Sequence, residues 1–466
     1  MKPLLKTLSI TLLTLFCFTA IAVAQETFKN PMGLKSAYID YTNQTKVTKN
    51  VVKDYGMKSS KTKDQSAFFQ TAINEVSAQG GGKLFIPKGT YLFARIYMKS
   101  NVHIIIDKGT VLKPYWGKDD YVDMFYFFNE NSQTKGYIEN CSISGKGGRF
   151  IVDYADIPKN EKFKVRFALL GTVNNFSITD ADIKDNYSVF CALSFAPSDI
   201  KGSLDWPINR PTNGEVKNCS IFHANPGYGL CQLHGARNLY FENLYALGGV
   251  ALRLETGADT PYIGIYDIYG HNIQSENGRC ALMMGPHIAQ NGTVKVDGLW
   301  AKSSGSAFQF GAGHISQRKT IYADTKPGIF ANDSKVINIH AIYGTTAQSA
   351  IKKLYAYQPS EYSKICYDEV VPFGKWLTAP SITAVIDGSN NTYHVTIEHI
   401  TTEGFPFKTS MIKEEELPLD HTDNGRIKGS IPQLKQKPVA PAYLQEYNKK
   451  NKKSSKHVET VRLSRH

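Results

Sequence analysis

Glu255 is the side chain best placed for acid–base chemistry. It lies in Gly248-Gly249-Val250-Ala251-Leu252-Arg253-Leu254-Glu255-Thr256-Gly257, a run with the alternation of a β-strand. Val250, Leu252, Leu254 and Thr256 share one face, and Arg253 and Glu255 share the other. Gln232 lies 23 residues earlier, in Tyr228-Gly229-Leu230-Cys231-Gln232-Leu233-His234, where Cys231 and Leu233 face inward and Gln232 and His234 outward. His287 closes a later run, Ala281-Leu282-Met283-Met284-Gly285-Pro286-His287. Singly, each has a plainer role: a ladder amide, a surface histidine, an exposed ion pair of the kind that contributes little. Brought to one level, they can move a proton and position a water or an ion, and that coincidence favours catalysis.

One level requires stacked elements, and the sequence supplies them. Short apolar strands recur around Ile138, Asn175, Val216, Leu239, Ile265, Val294, Val336 and Val395. A second series starts at Ala251, Ala281 and Ala307, at intervals of 30 and 26 residues. A single such coil cannot bury its apolar face, so the coils must stack, with equivalent positions roughly 5 Å apart. In that stack Glu255 neighbours Gly285, and His287 neighbours Gly257.

The N-terminal third adds a specific arrangement. An amphipathic helix is predicted over residues 64–78, with Phe69, Ile73 and Val76 on one face, and Gly80-Gly81-Gly82 stops it. With Val52-Lys53-Asp54-Tyr55-Gly56 before it and Lys83-Leu84-Phe85-Ile86-Pro87-Lys88-Gly89-Thr90-Tyr91 after it, this resembles the opening segment of pectin-lyase-like folds. The expected class is all-β: a single-stranded right-handed parallel β-helix with a short N-terminal capping helix. A leader is expected over residues 1–24, an extension over 25–50, and the β-helix domain over 51–416. Insertions are expected near 197–214 and 353–380, and a C-terminal wrap with a basic tail over 417–466.

The stretch Ala251-Leu252-Arg253-Leu254-Glu255-Thr256, with Gln232 before it and a histidine on the next coil, resembles the iota-carrageenases, secreted β-helix hydrolases of marine bacteria. The resemblance implies inverting cleavage of a β-1,4 linkage in a sulfated galactan. It assigns Glu255 as general acid, Gln232 as a water- or ion-positioning group and His287 as its neighbour. That family carries an Asp base two residues after the acid, a separation of about 7 Å that leaves room for a water. Here that position is Gly257, and the nearest carboxylate is Asp259, roughly 13 Å along an extended strand. The base therefore stays open between Asp259, Gln232 with a solvent network, and none. Arg253, Arg279 and His234 are the expected substrate-binding groups, since guanidinium pairs well with sulfate. No cofactor and no structural metal are expected, with room for a bound calcium, sodium or chloride ion.

Two other classes compete. A polygalacturonase would show its Asn-Thr-Asp, Asp-Asp, Gly-His-Gly and Arg-Ile-Lys motifs together, and it does not here. A calcium-dependent lyase would draw on Asp180, Asp182 and Asp185, whose mixed strand parity argues against one site. A non-catalytic polysaccharide-binding β-helix, disarmed at Gly257, is the remaining alternative.

Composition bounds the rest. Lys2 and Lys6, an apolar run over 8–23 and Ala22-Val23-Ala24 read as a secretory signal rather than a membrane span. Residues 448–466 account for +6 of the formal net charge of +13 and the leader lysines for +2, which leaves +5 on the body. That balance argues against nucleic acid as partner and suits an acidic polymer. Cys141, Cys191, Cys219, Cys231, Cys280 and Cys366 read as free, buried apolar residues without zinc spacing. A monomer is expected.

Overall fold

The structure, a computed structural model, describes residues 29–128, 138–157, 163–197, 210–256, 263–315, 325–368, 376–407, 410–413 and 416. The expected leader and C-terminal tail lie outside these residues. The chain coils into a right-handed parallel β-helix whose strands pair in register with those of the coil before and the coil after.

One sheet begins with Val47–Asn50 and runs through Gly82–Ile86, Val102–Asp107, Ile138–Lys146, Val173–Thr179 and Thr212–Lys217. The site sheet runs through Tyr121–Phe127, Lys164–Leu170 and Leu193–Phe195 to the C-terminal parts of Ser220–Leu233 and Ala236–Glu255. It continues through Cys280–Gly285, Phe308–Gly311 and Val385–Gly388. Its inward column, Leu193, Cys231, Leu252, Leu282, Phe308 and Val385, has no exposed surface. Each large member is worth roughly 1.5–3 kcal/mol of burial, which explains why the 30- and 26-residue intervals hold as register: Leu252 pairs with Leu282 and Leu282 with Phe308.

Side-chain ladders hold the corners. Asn140 donates to Asn101 at 3.0 Å and Asn175 to Asn140 at 2.8 Å. A second row runs from Asn272 to Asn243, Asn218 and Asp180 at 2.8, 3.0 and 3.1 Å. The asparagines have positive φ, a conformation asparagine tolerates, so they turn the chain while their amides join neighbouring coils.

The helix spans Ser66–Ala78 and buries Phe69, Ala72, Ile73 and Val76 over the first coil, with Phe69 stacked on Phe93 at 4.8 Å. At its exit Gly81 has φ of 107°, and an added Cβ would lie 2.3 Å from the Asn101 Cβ, so only glycine fits.

The structure moves three boundaries. Val47–Asn50, expected in the extension, is already a rung of the sheet, and the extension before it crosses the outside of the coils, where Ile39 exchanges two hydrogen bonds with Asn175. Of the insertion expected over 197–214, residues 198–209 lie outside the described residues, while Thr212–Lys217 belongs to the coil, because Val216 pairs inward with Ile178. The second departure starts before 353: Ala347–Ala350, Cys366–Tyr367 and Trp376–Ala379 form a small antiparallel sheet over a separate core of Leu354, Tyr357, Ile365, Leu377 and Ala379. The six cysteines among the described residues are free, and of them Cys366 alone is half-buried rather than buried, since it sits in this outer sheet.

Candidate active site

Glu255 ends its strand on the outer face of the site sheet, directly against Gly285 as the spacing predicts. Arg253, two residues back, reaches Glu255 Oε2 at 2.5 Å. Gln232 Nε2 donates to the same oxygen at 3.0 Å. His287 Nε2 lies 3.6 Å from Oε1. Three of the expected groups thus converge on one carboxylate. The pair is not the exposed one the alternation suggests: the side chains of Arg253 and Glu255 are only 12% and 20% exposed.

A bulge provides the enclosure. Between Ala224 and Gly229 the strand register breaks, so residues 225–228 stand out as a ridge beside Arg253. Arg253 Nη1 donates to the Gly227 carbonyl, and Arg279 Nη1 to the Pro226 carbonyl at 3.4 Å. The outer antiparallel sheet locks the ridge in place. Gln348 accepts from the Gly249 N–H at 2.6 Å and donates to the Ala224 carbonyl at 3.1 Å. Trp376 packs so closely on Gly227 that an added Cβ there would lie 3.1 Å from its ring.

This enclosure sets the charges. Burial alone would raise the Glu255 pKa, but the nearby His287 and the Arg253 guanidinium outweigh it and hold the carboxyl well below the usual carboxylate range. Burial opposes the charge of Arg253, and Glu255 more than restores it. His234 lies against the Glu255 backbone, and burial pushes its pKa down to about 4, which leaves it neutral at ordinary pH. Arg279 is lowered by burial and then by Arg253. It lies 6.0 Å from the Trp376 ring and lines a small pocket with Gln309, Gln348, Ser349, Lys353 and Ile386.

Of the residues singled out in the sequence, Glu255, Gln232, Arg253 and His287 form one cluster, with His234 beneath it. Arg279 stands one strand further along behind the ridge, and Arg253 is committed to Glu255 and Gly227. Gly257 and Asp259 lie outside the described residues. Among the described residues, no group of three or more His, Cys, Asp or Glu could hold a metal ion. The aspartates a lyase would need are dispersed: Asp182 pairs with Arg149 at 2.8 Å, Asp180 accepts from Asn218, and Asp185 is buried under the Asn186 and Ser188 N–H groups.

Residues 49–351 match the family described as rhamnogalacturonase A/epimerase, pectate lyase-like. The chain is 31% identical to an iota-carrageenase of Zobellia galactanivorans, over 83% of this chain and 87% of the relative. It belongs to the iota-carrageenase family. An iota-carrageenase of Alteromonas macleodii is 35% identical over 63% of this chain and 58% of that one. The solved structure of an iota-carrageenase complexed to iota-carrageenan fragments superposes with a TM-score of 0.75 and 26% identity, over 88% of this chain and 99% of that one. The iota-carrageenases are glycoside hydrolases, and the enzyme class expected from Glu255 and its neighbours stands.

Beyond the iota-carrageenase resemblance, two features of the groove escape sequence reading. Arg166 donates to Asp123 at 3.0 Å and to Ser194 at 3.0 Å, beside the strand of Gln232, and its guanidinium lies 3.8 Å from the Phe190 ring centroid. His314 packs its ring 5.1 Å from that of His287. The first depends on strands far apart in sequence, the second on a turn at His287, whose φ is 46°.

Proposed function

We propose that the protein is a secreted hydrolase that cleaves β-1,4 linkages of a sulfated galactan, iota-carrageenan, with inversion, and that Glu255 is its general acid. The observation that carries the reading is the convergence of Gln232, Arg253 and His287 on the Glu255 carboxylate, in a chain of the iota-carrageenase family.

A general acid must carry a proton, yet Arg253 and His287 favour the ionised carboxyl. The two requirements meet if Glu255 and His287 hold one proton between them. A sulfated chain entering the groove brings negative charge to Arg253 and excludes water from Glu255, and both changes favour the neutral acid. His287 Nε2 then passes its proton to Glu255 Oε1, and Glu255 delivers it to the glycosidic oxygen as the C–O bond breaks. Water adds to the anomeric carbon from the opposite face and gives up its own proton, so the products are two chain ends.

Gln232 spends its Nε2 on Glu255, which leaves Oε1 to accept from that water. The water's proton passes to Asp259 or to the solvent network at Gln232, and Asp259→Asn separates these. Arg279 and Lys353, on the pocket beside the ridge, are the cations we assign to sulfate. The chemistry moves only protons and water and asks nothing of a cofactor; a bound ion beside Gln232 would act on the water's position.

Iota-carrageenan incubated with the protein and with Glu255→Gln tests this. New reducing ends without near-ultraviolet absorbance, and with an inverted anomeric signal at first appearance, are expected from the wild type alone. Equal activity in both proteins removes Glu255 from the mechanism, an absorbing product means a lyase, and binding without cleavage means a non-catalytic module.

A further inference from the structure

On the three coils after that of Glu255, the strand position in line with it is glycine. Glu255 pairs with Gly285. The pairing of Met284 with Phe310, continued by one residue, sets Gly285 against Gly311, and Gly311 pairs with Gly388. Glycine within a strand costs stability and needs a reason. Two reasons are absent here. None of the three has positive φ, so the backbone does not demand glycine. A Cβ at Gly311 would meet nothing within 4 Å, and one at Gly285 only the Glu255 Cγ at 3.9 Å, so at these two positions packing does not demand it either. A ligand that approaches the backbone remains as the reason.

The surroundings give the row the form of a channel. Two residues back along each strand, Arg253, Met283, Gln309 and Ile386 carry side chains in register and stand as one wall. His287 and His314 stand at the other side beside Glu255. The floor is held still, because Tyr393 Oη donates to the Gly311 carbonyl at 2.9 Å. From Glu255 to Gly388 the floor covers three inter-strand steps, about 14 Å.

We propose that Gly285, Gly311 and Gly388 are the floor of the substrate channel on the C-terminal side of Glu255, where the faces of the galactan rings lie directly on the backbone, and that the missing Cβ at Gly311 admits them. The inference rests on the galactan-hydrolase reading above. It adds a specificity-determining position that makes no chemistry of its own. Sulfates on rings in the channel would point over the Gln309 wall toward Arg279 and Lys353, which line the pocket there.

Gly311→Ala and Gly311→Val test it, read by thermal unfolding, by KM and kcat on iota-carrageenan, by the lengths of the first products, and by retardation in an iota-carrageenan gel. Both variants are expected to unfold no earlier than the wild type, to raise KM by about tenfold or more, to be less retarded in the gel, and to release a changed set of product lengths. Glu255→Gln should keep the wild-type retardation. Folded Gly311→Val with wild-type KM, retardation and product lengths overturns the channel floor alone. Early unfolding of Gly311→Ala also overturns it, since the glycine would then serve the fold. A wild type that neither cleaves iota-carrageenan nor is retarded by it overturns the hydrolase reading, and the channel with it.

Discussion

Gln232 Nε2 donates to Glu255 Oε2 at 3.0 Å, although the strand register sets Gln232 beside Arg253 and not beside Glu255. The contact is diagonal, across one strand and two residues, and it fixes which end of the amide faces the groove. Gln232→Leu should remove both the bond to the carboxylate and the acceptor for water. Hydrogen bonds to charged groups are worth about 1.5–3 kcal/mol, so kcat should fall roughly 10–100-fold. An unchanged KM beside that fall would mark the loss as one of positioning, and an unchanged kcat would remove Gln232 from the reaction.

His287→Gln takes away the second home of the shared proton. With His287 gone, Arg253 alone of the two opposes burial and still favours the ionised carboxyl. The variant should therefore be nearly inactive at neutral pH and gain activity as the pH falls, with its optimum displaced to the acid side. The pH profile of kcat/KM checks this, with the limb belonging to the pair and not to either residue. A uniform loss at every pH would point to a structural role for His287.

Acid should loosen the fold through its buried imidazoles. His103 has no exposed surface, and burial pushes its pKa from 6.5 to about 4, with the Asp40 charge opposing. Between those values the unfolded chain binds a proton that the folded one refuses, so stability is fully present above pH 6.5 and falls as the pH drops toward 4. His234 acts in the same window, and Glu255, depressed from 4.5, adds a loss only below that value. Each such imidazole contributes up to about 1.4 kcal/mol per pH unit. Urea midpoints at pH 7 and pH 5 should differ less for His103→Gln than for the wild type.

Leu282→Ala opens a gap in the inward column between Leu252 and Phe308. A fully buried leucine so placed should cost about 2–5 kcal/mol, measured as a lowered denaturant midpoint. Because Gly285 ends the same strand, activity should fall at temperatures where bulk secondary structure persists.

Much of this was legible in the residues and some was not. The inward columns repeat strictly enough that the intervals from Leu252 to Leu282 and from Leu282 to Phe308 give true register, and strand parity places Gln232, Arg253 and Glu255 on one face. The Asn-Cys-Ser-Ile repeats at Cys141 and Cys219 draw attention to the cysteines, yet Asn140 and Asn218 do the work of the corner, each with φ of 53°. Composition does not reveal that, since it depends on a backbone angle. The ridge at residues 225–228 was hidden for a different reason: a bulge inserts residues without altering the alternation on either side, and what it encloses depends on Trp376, which lies far along the chain.

The corner rows have a direction. From Asn272 back to Asn218, each amide donates toward the earlier coil; Asn243 and Asn218 accept from the later one, and Asn272 accepts from Gln274 at 2.6 Å. The row starts at Asp180, a carboxylate with acceptors and no hydrogen to pass on. Another begins at Asp297, which accepts from Asn338 at 2.7 Å. A duplicated coil inserted between Asn218 and Asn272 would bring its own asparagine and leave no donor or acceptor stranded, whereas one inserted across Asp180 would strand both. Such a barrel can lengthen within a row, and its aspartates mark where lengthening stops.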